Sequence, residues 1–203
     1  MFYFLFSHVL IRLFAYYSPV FDRLVVSILV DEVVGGFFMS VPPGHVAVVY
    51  DRGRGVINRI HEPGLHLKIP FWQIAKLFNA QTLEYMISKG LDLSNEEIFG
   101  DAPINCVTLD NRLITIEGSI LFHINRERAP QLWENIGDRF VSKIIRPVSR
   151  SRIRQVIAKY SFQDAQSQNR KAIEEDIMKE LNDIFVPKGL VTESVLLSEI
   201  NLV

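Results

Sequence analysis

The chain has 203 residues, with 22 basic and 23 acidic side chains, and 48% of its residues are hydrophobic. This composition excludes wholesale disorder, and the near-zero net charge argues against a dedicated nucleic-acid binder, which needs excess Lys and Arg to neutralise phosphates. The single cysteine, Cys106, forms no intrachain disulfide and builds no metal cluster by itself.

The first forty residues differ in composition from the rest of the chain. Their charged side chains are Arg12, Asp22, Arg23, Asp31 and Glu32. Two apolar runs, 2–21 and 24–41, are each close to the ~20 residues that span a bilayer, but charges interrupt both of them. Polar residues recur every four positions within each run, which places them on one face of a helix.

We therefore expect residues 1–40 to be a membrane anchor made of two amphipathic segments that lie in, or loop into, one side of the bilayer. The alternatives are a single span through Leu24–Val41, with its acidic pair facing a partner helix, and ordinary packing onto the soluble domain. The side chains expected to contact lipid are Phe4, Leu5, Leu10, Leu13, Phe14, Leu24, Val25, Ile28, Phe37 and Phe38.

The next part of the chain is typical of short strands separated by turns. His45–Tyr50 is a β-branched run, and Val56–Ile60 is expected to pair back on it. Residues 65–69 alternate as in a half-buried strand that ends at Pro70. Residues 74–87 are expected to be extended as well.

Residues 88–102 are polar, and a capping-box spacing that begins at Ser94 predicts one helical turn there. The clearest pattern in the chain follows. From Leu113 to Ile124 apolar and polar residues alternate with a period of two, which predicts a long strand with one face inward. Asp110-Asn111 has turn chemistry and follows the apolar run 104–109, so we expect a hairpin.

Helical periodicity then replaces alternation. Residues 127–136 predict a short helix, and Asp138–Tyr160 predicts a second helix that Pro147 kinks or splits. Ser161–Asp164 has capping-box spacing. The helix that it opens is expected to carry Ile173, Ile177, Leu181 and Ile184 on one apolar stripe. Residues 191–203 return to strand character, so the fold class is α+β with largely antiparallel pairing.

A line of basic side chains follows one face of the helix over 138–160. These residues are Arg139, Lys143, Arg146, Arg150 and Arg154. In one interpretation they form a solvated face that opposes the acidic cluster Glu174, Glu175, Asp176 and Glu180. In the other they contact anionic lipid headgroups or an acidic neighbouring subunit, each residue contributing ~1 kcal/mol near such a surface. Few aromatic residues interleave with the line, so nucleic acid is not an expected partner.

Motifs that carry catalysis are missing from the sequence. The G-x-G at Gly53 and Gly55 has no third glycine and predicts only a tight turn. The histidines never reach metal-ligand spacing, and Cys106 has no base beside it, which favours a buried thiol. We expect no enzyme, and no catalytic, metal or cofactor-binding residues.

Several segments together resemble a known family. In chain order they are Val41-Pro-Pro-Gly to Arg52 with Arg54-Gly-Val, Glu62-Pro-Gly-Leu-His with Ile69-Pro70, Asp110-Asn111, Ile136-Gly137 with Ile144-Ile-Arg-Pro147 to Ile157, and Gly189-Leu190 with Val195 to Ile200. This order resembles the stomatin–prohibitin–flotillin (SPFH, Band 7) superfamily, nearest its prohibitin branch. The resemblance implies an SPFH domain over residues 41–203, with a mixed, largely antiparallel sheet followed by helices, after the membrane segment 1–40.

The resemblance also implies a function. It implies a membrane scaffold that binds lipid, oligomerises with itself or with SPFH relatives, and organises membrane microdomains and partners such as membrane proteases. Family analogy places it at a bacterial or mitochondrial inner membrane. The alternative is a one-to-one lipid-binding regulatory subunit of a channel, transporter or protease, with a hydrolase as a remote third. Relatives continue into a coiled coil, which we expect to be absent here because the sequence ends at Val203, as in a truncated chain or a short relative.

Overall fold

The computed structural model describes residues 36–89, 99–166 and 169–202. Along these residues the elements are β1 (Phe38–Val41), β2 (His45–Asp51), β3 (Gly55–His61), β4 (Gly64–Leu67), β5 (Gln73–Asn79), β6 (Leu83–Ile87), β7 (Phe99–Asp101), β8 (Ile104–Val107), β9 (Leu113–Ile124), a 3-10 turn (Arg126–Arg128), α1 (Ala129–Asn135), a π-helical turn (Val141–Ile145), α2 (Arg146–Ile157), α3 (Phe162–Gln166), α4 (Arg170–Phe185), a 3-10 turn (Val186–Lys188) and β10 (Leu190–Leu202). The predicted α+β order of strands, hairpin, helices and final strand is confirmed.

In the three-stranded antiparallel sheet of order β3-β2-β5, the central strand β2 is covered on both faces. Val46 and Val48 of β2 are fully buried in the main core. Because side chains alternate along a strand, Ala47 and Val49 point the other way. There they pack with Met39 and its neighbours from β1 in a second, smaller core. Burial on both faces explains the continuous apolar run of this strand.

The second sheet has the order β10-β9-β6-β7, with β8 also paired to β9. Every pairing in it is antiparallel except that of β6 with β7, so the sheet is mixed, as expected. In β9 the alternation predicted from the sequence is confirmed, because Ile114, Ile116, Ile120 and Phe122 are buried to within 1%. The β8–β9 hairpin turns at Asn111, which adopts φ 57°. Asn tolerates this left-handed conformation better than most residues.

The helices differ from the sequence prediction in two places. The segment before Pro147 is a π-helical turn, and α2 starts only at Arg146. Proline has no N–H to donate, so it is accommodated in the first turn of the new helix, where that group has no partner anyway. The predicted capping box is confirmed, with the Asp164 N–H donating to Ser161 Oγ over 3.2 Å. However, it opens the short helix α3, while the apolar stripe belongs to the separate helix α4.

Side chains of α4 cover the outer edge of β10. Asn182 accepts a hydrogen bond from the Thr192 N–H over 2.8 Å and donates to the Thr192 carbonyl over 3.2 Å. Glu174 accepts from the Leu197 N–H over 2.9 Å. An uncovered strand edge presents free backbone groups to other chains, so these contacts protect a thirteen-residue edge strand.

Two predictions need correction, and two others concern residues that the structure does not describe. Residues 65–69 were expected to form a half-buried strand, but Leu65 and Leu67 are 69% and 70% exposed. The first strand of the domain starts at Phe38, inside the expected anchor 1–40. The helical turn at Ser94 and the lipid contacts before residue 36 lie outside the described residues. Among the described helices, none has the length and apolar character needed to cross a bilayer.

Candidate membrane-contact surface

The two-stranded sheet of β1 and β4 turns an apolar side outward. The strands are antiparallel, with Phe38 opposite Leu67 and Ser40 opposite Leu65. Directly opposed residues share a face, so Phe38, Leu65 and Leu67 lie together on one side. Met39 points to the opposite side and is buried in the second core. The alternation predicted for β4 is therefore present, but β1 supplies the buried side chains and β4 exposes its leucines.

The loop after β4 continues the apolar side. The Trp72 N–H donates to the Pro70 carbonyl over 2.7 Å, closing a three-residue turn around Phe71. Phe71 has φ 61°, a conformation that costs a residue other than glycine about 1–3 kcal/mol and persists only when its surroundings enforce it. The turn directs Phe71 into solvent, where it is 64% exposed.

A buried carboxylate holds this loop in place. Asp51 is only 4% exposed and accepts hydrogen bonds from the Trp72 indole N–H, the Gln73 amide and the backbone N–H groups of Gly53 and Arg54. The bond from Gln73, then that from Gly53, hold the pKa of the Asp51 carboxyl below its ordinary value, against the opposing effect of burial. The indole N–H of Trp72 is anchored on Asp51, while the residue as a whole remains 51% exposed to solvent.

We call these exposed side chains the apolar face. Its members are Phe37, Phe38, Leu65, Leu67, Ile69, Phe71 and Trp72, which are between 42% and 70% exposed. An exposed apolar cluster of this kind marks a contact site for protein or membrane. Phe37 and Phe38 were predicted as lipid contacts from the sequence, and the other members were missed. Their signal is present in the sequence, since six of the eight residues 65–72 are apolar or proline and two of them are aromatic.

The apolar face lies where the hydrophobic N-terminal segment joins the domain. The Lys68 N–H donates to the Phe37 carbonyl over 2.8 Å. Gly36 lies against Pro70, so closely that a Cβ on Gly36 would come within 2.9 Å of the Pro70 Cβ. The chain therefore enters the domain directly beside the loop that carries Ile69 and Phe71.

Basic side chains accompany the face. Arg52 and Arg54 are exposed and belong to the turn that Trp72 contacts. Together with Lys68 they have no salt-bridge partner within the ranges that the structure describes. His61, at the end of β3, has a lowered pKa. The main cause is desolvation by burial, followed by the nearby charges of His66 and Arg59. An apolar face with unpaired cations beside it matches the chemistry of an anionic bilayer surface.

The basic line of the helical half is engaged within the protein. Arg146 forms two 2.8 Å hydrogen bonds to the Asp101 carboxylate, and Arg150 adds a third at 3.0 Å. Arg154 donates to the Asn105 carbonyl, and Lys143 to the Ile136 carbonyl. The remaining member, Arg139, has no hydrogen-bond partner for its guanidinium among the described residues.

The acidic cluster does not oppose this line. Glu180 pairs instead with Arg152 and Lys159, at 3.5 and 3.2 Å. Asp176 accepts from the Tyr160 hydroxyl over 2.6 Å. The expected opposition of the two charged sets is therefore wrong. Arg146, Arg150 and Arg154 of α2 reach Asp101 and Asn105 on the side of β7 and β8. The cations that meet Glu180 are Arg152 of α2 and Lys159, which follows that helix.

The remaining candidates for chemistry are structural. Cys106 is buried, as predicted, and burial raises the pKa of its thiol to about 11. The Gly53–Gly55 segment forms the tight turn between β2 and β3, with Gly55 at φ 82°. No group of three or more metal-ligating side chains occurs within the described ranges.

Comparison with known proteins agrees with the resemblance read from the sequence. Mitochondrial prohibitin-7 of Arabidopsis thaliana is 23% identical over 146 residues, which are 72% of this chain and 47% of that protein. Prohibitin 1 of Gallus gallus is 22% identical over 168 residues, 83% of this chain and 56% of that protein. The chain thus spans about half the length of the curated relatives it matches. The model of the SPFH domain / Band 7 family matches residues 39–202, so the chain belongs to that family, as a prohibitin-like member.

Proposed function

We propose that this protein is a non-enzymatic membrane scaffold whose SPFH domain is held on the bilayer by its hydrophobic N-terminal segment, residues 1–40, together with the apolar face. The observation that carries the proposal is the apolar face itself, placed where the N-terminal segment joins the domain. Prohibitins are its relatives, so we extend the proposal to assembly with copies of itself or with SPFH relatives, and to the organisation of lipids and membrane proteases.

The physical scale of the contact supports the proposal. Full burial of a large apolar side chain stabilises by about 1.5–3 kcal/mol, so side chains that are already half-buried gain roughly 1 kcal/mol each. Seven such side chains give on the order of 5–7 kcal/mol before entropy losses. Unpaired cations at the rim add ~1 kcal/mol each on an anionic leaflet. A contact of this size orients a domain that is already tethered nearby.

Depth-dependent quenching of tryptophan fluorescence tests the contact. The chain contains two tryptophans, Trp72 on the apolar face and Trp133 on α1, where it is partly buried against Phe78. The full chain is reconstituted into vesicles containing brominated phosphatidylcholine, as the single-tryptophan variants Trp133→Phe and Trp72→Phe. We expect strong quenching of Trp72 and little quenching of Trp133. Equal quenching of both, or none of Trp72, would refute the orientation.

The size of the particles that the protein forms tests whether it assembles as a scaffold. In mild detergent, negative-stain imaging and light scattering of the full chain are expected to show large assemblies, in which many weak membrane contacts act together. A monomer that leaves membranes with a salt wash contradicts the proposal. A stable one-to-one complex with a single membrane protein, without larger particles, favours a regulatory subunit instead.

A further inference from the structure

A groove of about 1040 Å³ separates β5 from the segment that precedes the π-helical turn. One wall is the edge of β5 from Lys76 to Asn79, continued by the residues that lead into β6. The opposite wall is residues 138–140, with Phe99 beside them. A 3.1 Å ion pair between Lys76 and Asp138 joins the two walls.

The edge of β5 has unused backbone groups. Among the described strands β5 pairs with β2 alone. The Ala80 N–H donates to the Gly44 carbonyl and the Arg52 N–H to the Trp72 carbonyl, which fixes the phase of the ladder. Since hydrogen-bonded and non-bonded pairs alternate in an antiparallel ladder, every second residue bonds to β2, namely Ile74, Lys76 and Phe78. The residues that direct N–H and C=O outward are therefore Ala75, Leu77 and Asn79.

The contrast with the other long edge is informative. Asn182 and Glu174 cover the backbone groups of β10, as described above. No comparable side-chain bond reaches the outward groups of Ala75 and Leu77 within the described residues. Natural proteins protect exposed strand edges, so an edge left unpaired beside a groove is a site for strand addition.

The groove also defines the chemistry of its occupant. Leu77 is 43% exposed on the β5 wall, and Leu83 and Phe99 are half-buried, so alternate apolar side chains find apolar contacts. The charges balance, because Lys76 is paired with Asp138 and the remaining cation, Arg139, is matched by Glu84 on the same groove. A ligand needs no net charge.

We propose that the edge of β5 accepts an extended, uncharged segment of a partner protein as an additional strand, with apolar side chains at alternate positions. The edge faces residues 138–140 across the groove, and this space suits a single extended chain. The seven residues of β5 span about 20 Å, which suits a segment of about five to seven residues. This inference goes beyond membrane attachment, since it gives the scaffold a means of holding a client.

Amide hydrogen exchange tests the pairing directly. The probe is the peptide acetyl-Thr-Val-Thr-Val-Thr-Val-Thr-amide, added at about 1 mM, a weak limit for specific binding, to the full chain in a non-ionic detergent. We expect the amides of Leu77 and Asn79 to exchange quickly without peptide and to become protected with it. Those of Lys76 and Phe78 are protected in both states by their bonds to β2. No peptide-dependent protection at Leu77 and Asn79 would overturn the proposal.

A matched pair of variants separates backbone pairing from side-chain contact. Leu77→Pro removes an N–H that β2 does not use, and proline is tolerated on strand edges at such positions. Leu77→Ala keeps the N–H and removes most of the side chain. Losing one hydrogen bond weakens binding about tenfold, so anisotropy of a labelled probe peptide is expected to show this loss for Leu77→Pro and a smaller loss for Leu77→Ala. Equal losses in both variants refute strand addition.

The chemistry of the probe gives a second control that needs no variant of the protein. In an added strand, the N–H groups of alternate peptide residues point towards β5. N-methylation of these residues is expected to abolish binding, whereas N-methylation of the other residues is expected to preserve it. Equal binding of the two peptides would refute the proposal. Failure here leaves the membrane contact intact, because quenching of Trp72 by brominated lipid involves β1, β4 and the loop after β4. Leu77→Pro is expected to leave that quenching unchanged.

Discussion

Replacing Asn182 with alanine tests how the final strand is held. The side chain forms two hydrogen bonds to the backbone of Thr192, which is only 3% exposed. Alanine leaves the N–H and C=O of Thr192 buried without partners, at about 1–3 kcal/mol for each group. The higher helix propensity of alanine returns about 0.5 kcal/mol. We expect the free energy of unfolding to fall by about 1.5–5.5 kcal/mol.

Urea unfolding of the full chain in a non-ionic detergent, followed by the fluorescence of Trp133, measures this change. Asn201→Ala is the matched control, because within the described ranges the side-chain amide of Asn201 bonds only to the exposed Glu199 carboxylate, over 3.1 Å. The control is expected to change stability by less than about 0.5 kcal/mol. A loss below about 1 kcal/mol in Asn182→Ala, or equal losses in both variants, would show that the edge of β10 needs no cover from α4.

Three further predictions concern the interior. A Cβ at Gly118 would overlap the main-chain carbonyl of Leu196. Gly118→Ala is therefore expected to destabilise the folded protein by about 2–3 kcal/mol, which lowers the urea midpoint. An unchanged midpoint would contradict this close packing. Burial raises the pKa of the Asp101 carboxyl, but hydrogen bonds from Arg146 and the surrounding charges outweigh it, so the net pKa is lowered. The stabilisation by ionised Asp101 is therefore complete above about pH 4 and is lost as the pH falls further. The difference in stability between wild type and Asp101→Asn is expected to disappear in acid. A difference that does not change with pH would refute this prediction. Burial raises the pKa of the Cys106 thiol to about 11. Alkylation by iodoacetamide near neutral pH is therefore expected to be far slower in the folded chain than in urea. Equal rates in the two conditions would show that the folded chain has an accessible thiolate.

Much of the fold was predictable because its signals are local. The period-two pattern of Leu113–Ile124 identified β9 and its buried face, and Asp110-Asn111 identified the hairpin turn. The capping box at Ser161 identified a helix start to the residue. In each case the sequence pattern and the structure lie within one element, so no distant partner had to be known.

The candidate site was only partly predictable. The sequence predicts lipid contact for Phe37 and Phe38, whereas the alternation of Leu65 and Leu67 is typical of a half-buried strand. Alternation gives two faces but does not say which of them meets the core. Met39 of β1 occupies the buried side, and that choice is made by packing between strands far apart in the sequence.

The class of fold, the family and the hydrophobic character of the N-terminal segment can be read from the sequence alone. The sequence also predicts the basic line on a single helix, but in the structure Arg139 and Lys143 precede α2. The roles of these side chains follow from the tertiary structure. Arg146 and Arg150 both pair with Asp101, 45 and 49 residues away. Within the part of the chain that the structure describes, the outer edge of β5 is unpaired while that of β10 is covered. The physical reason is that periodicity fixes the direction of a side chain relative to its own backbone, whereas exposure, ion pairing and edge pairing depend on which distant segment lies against it.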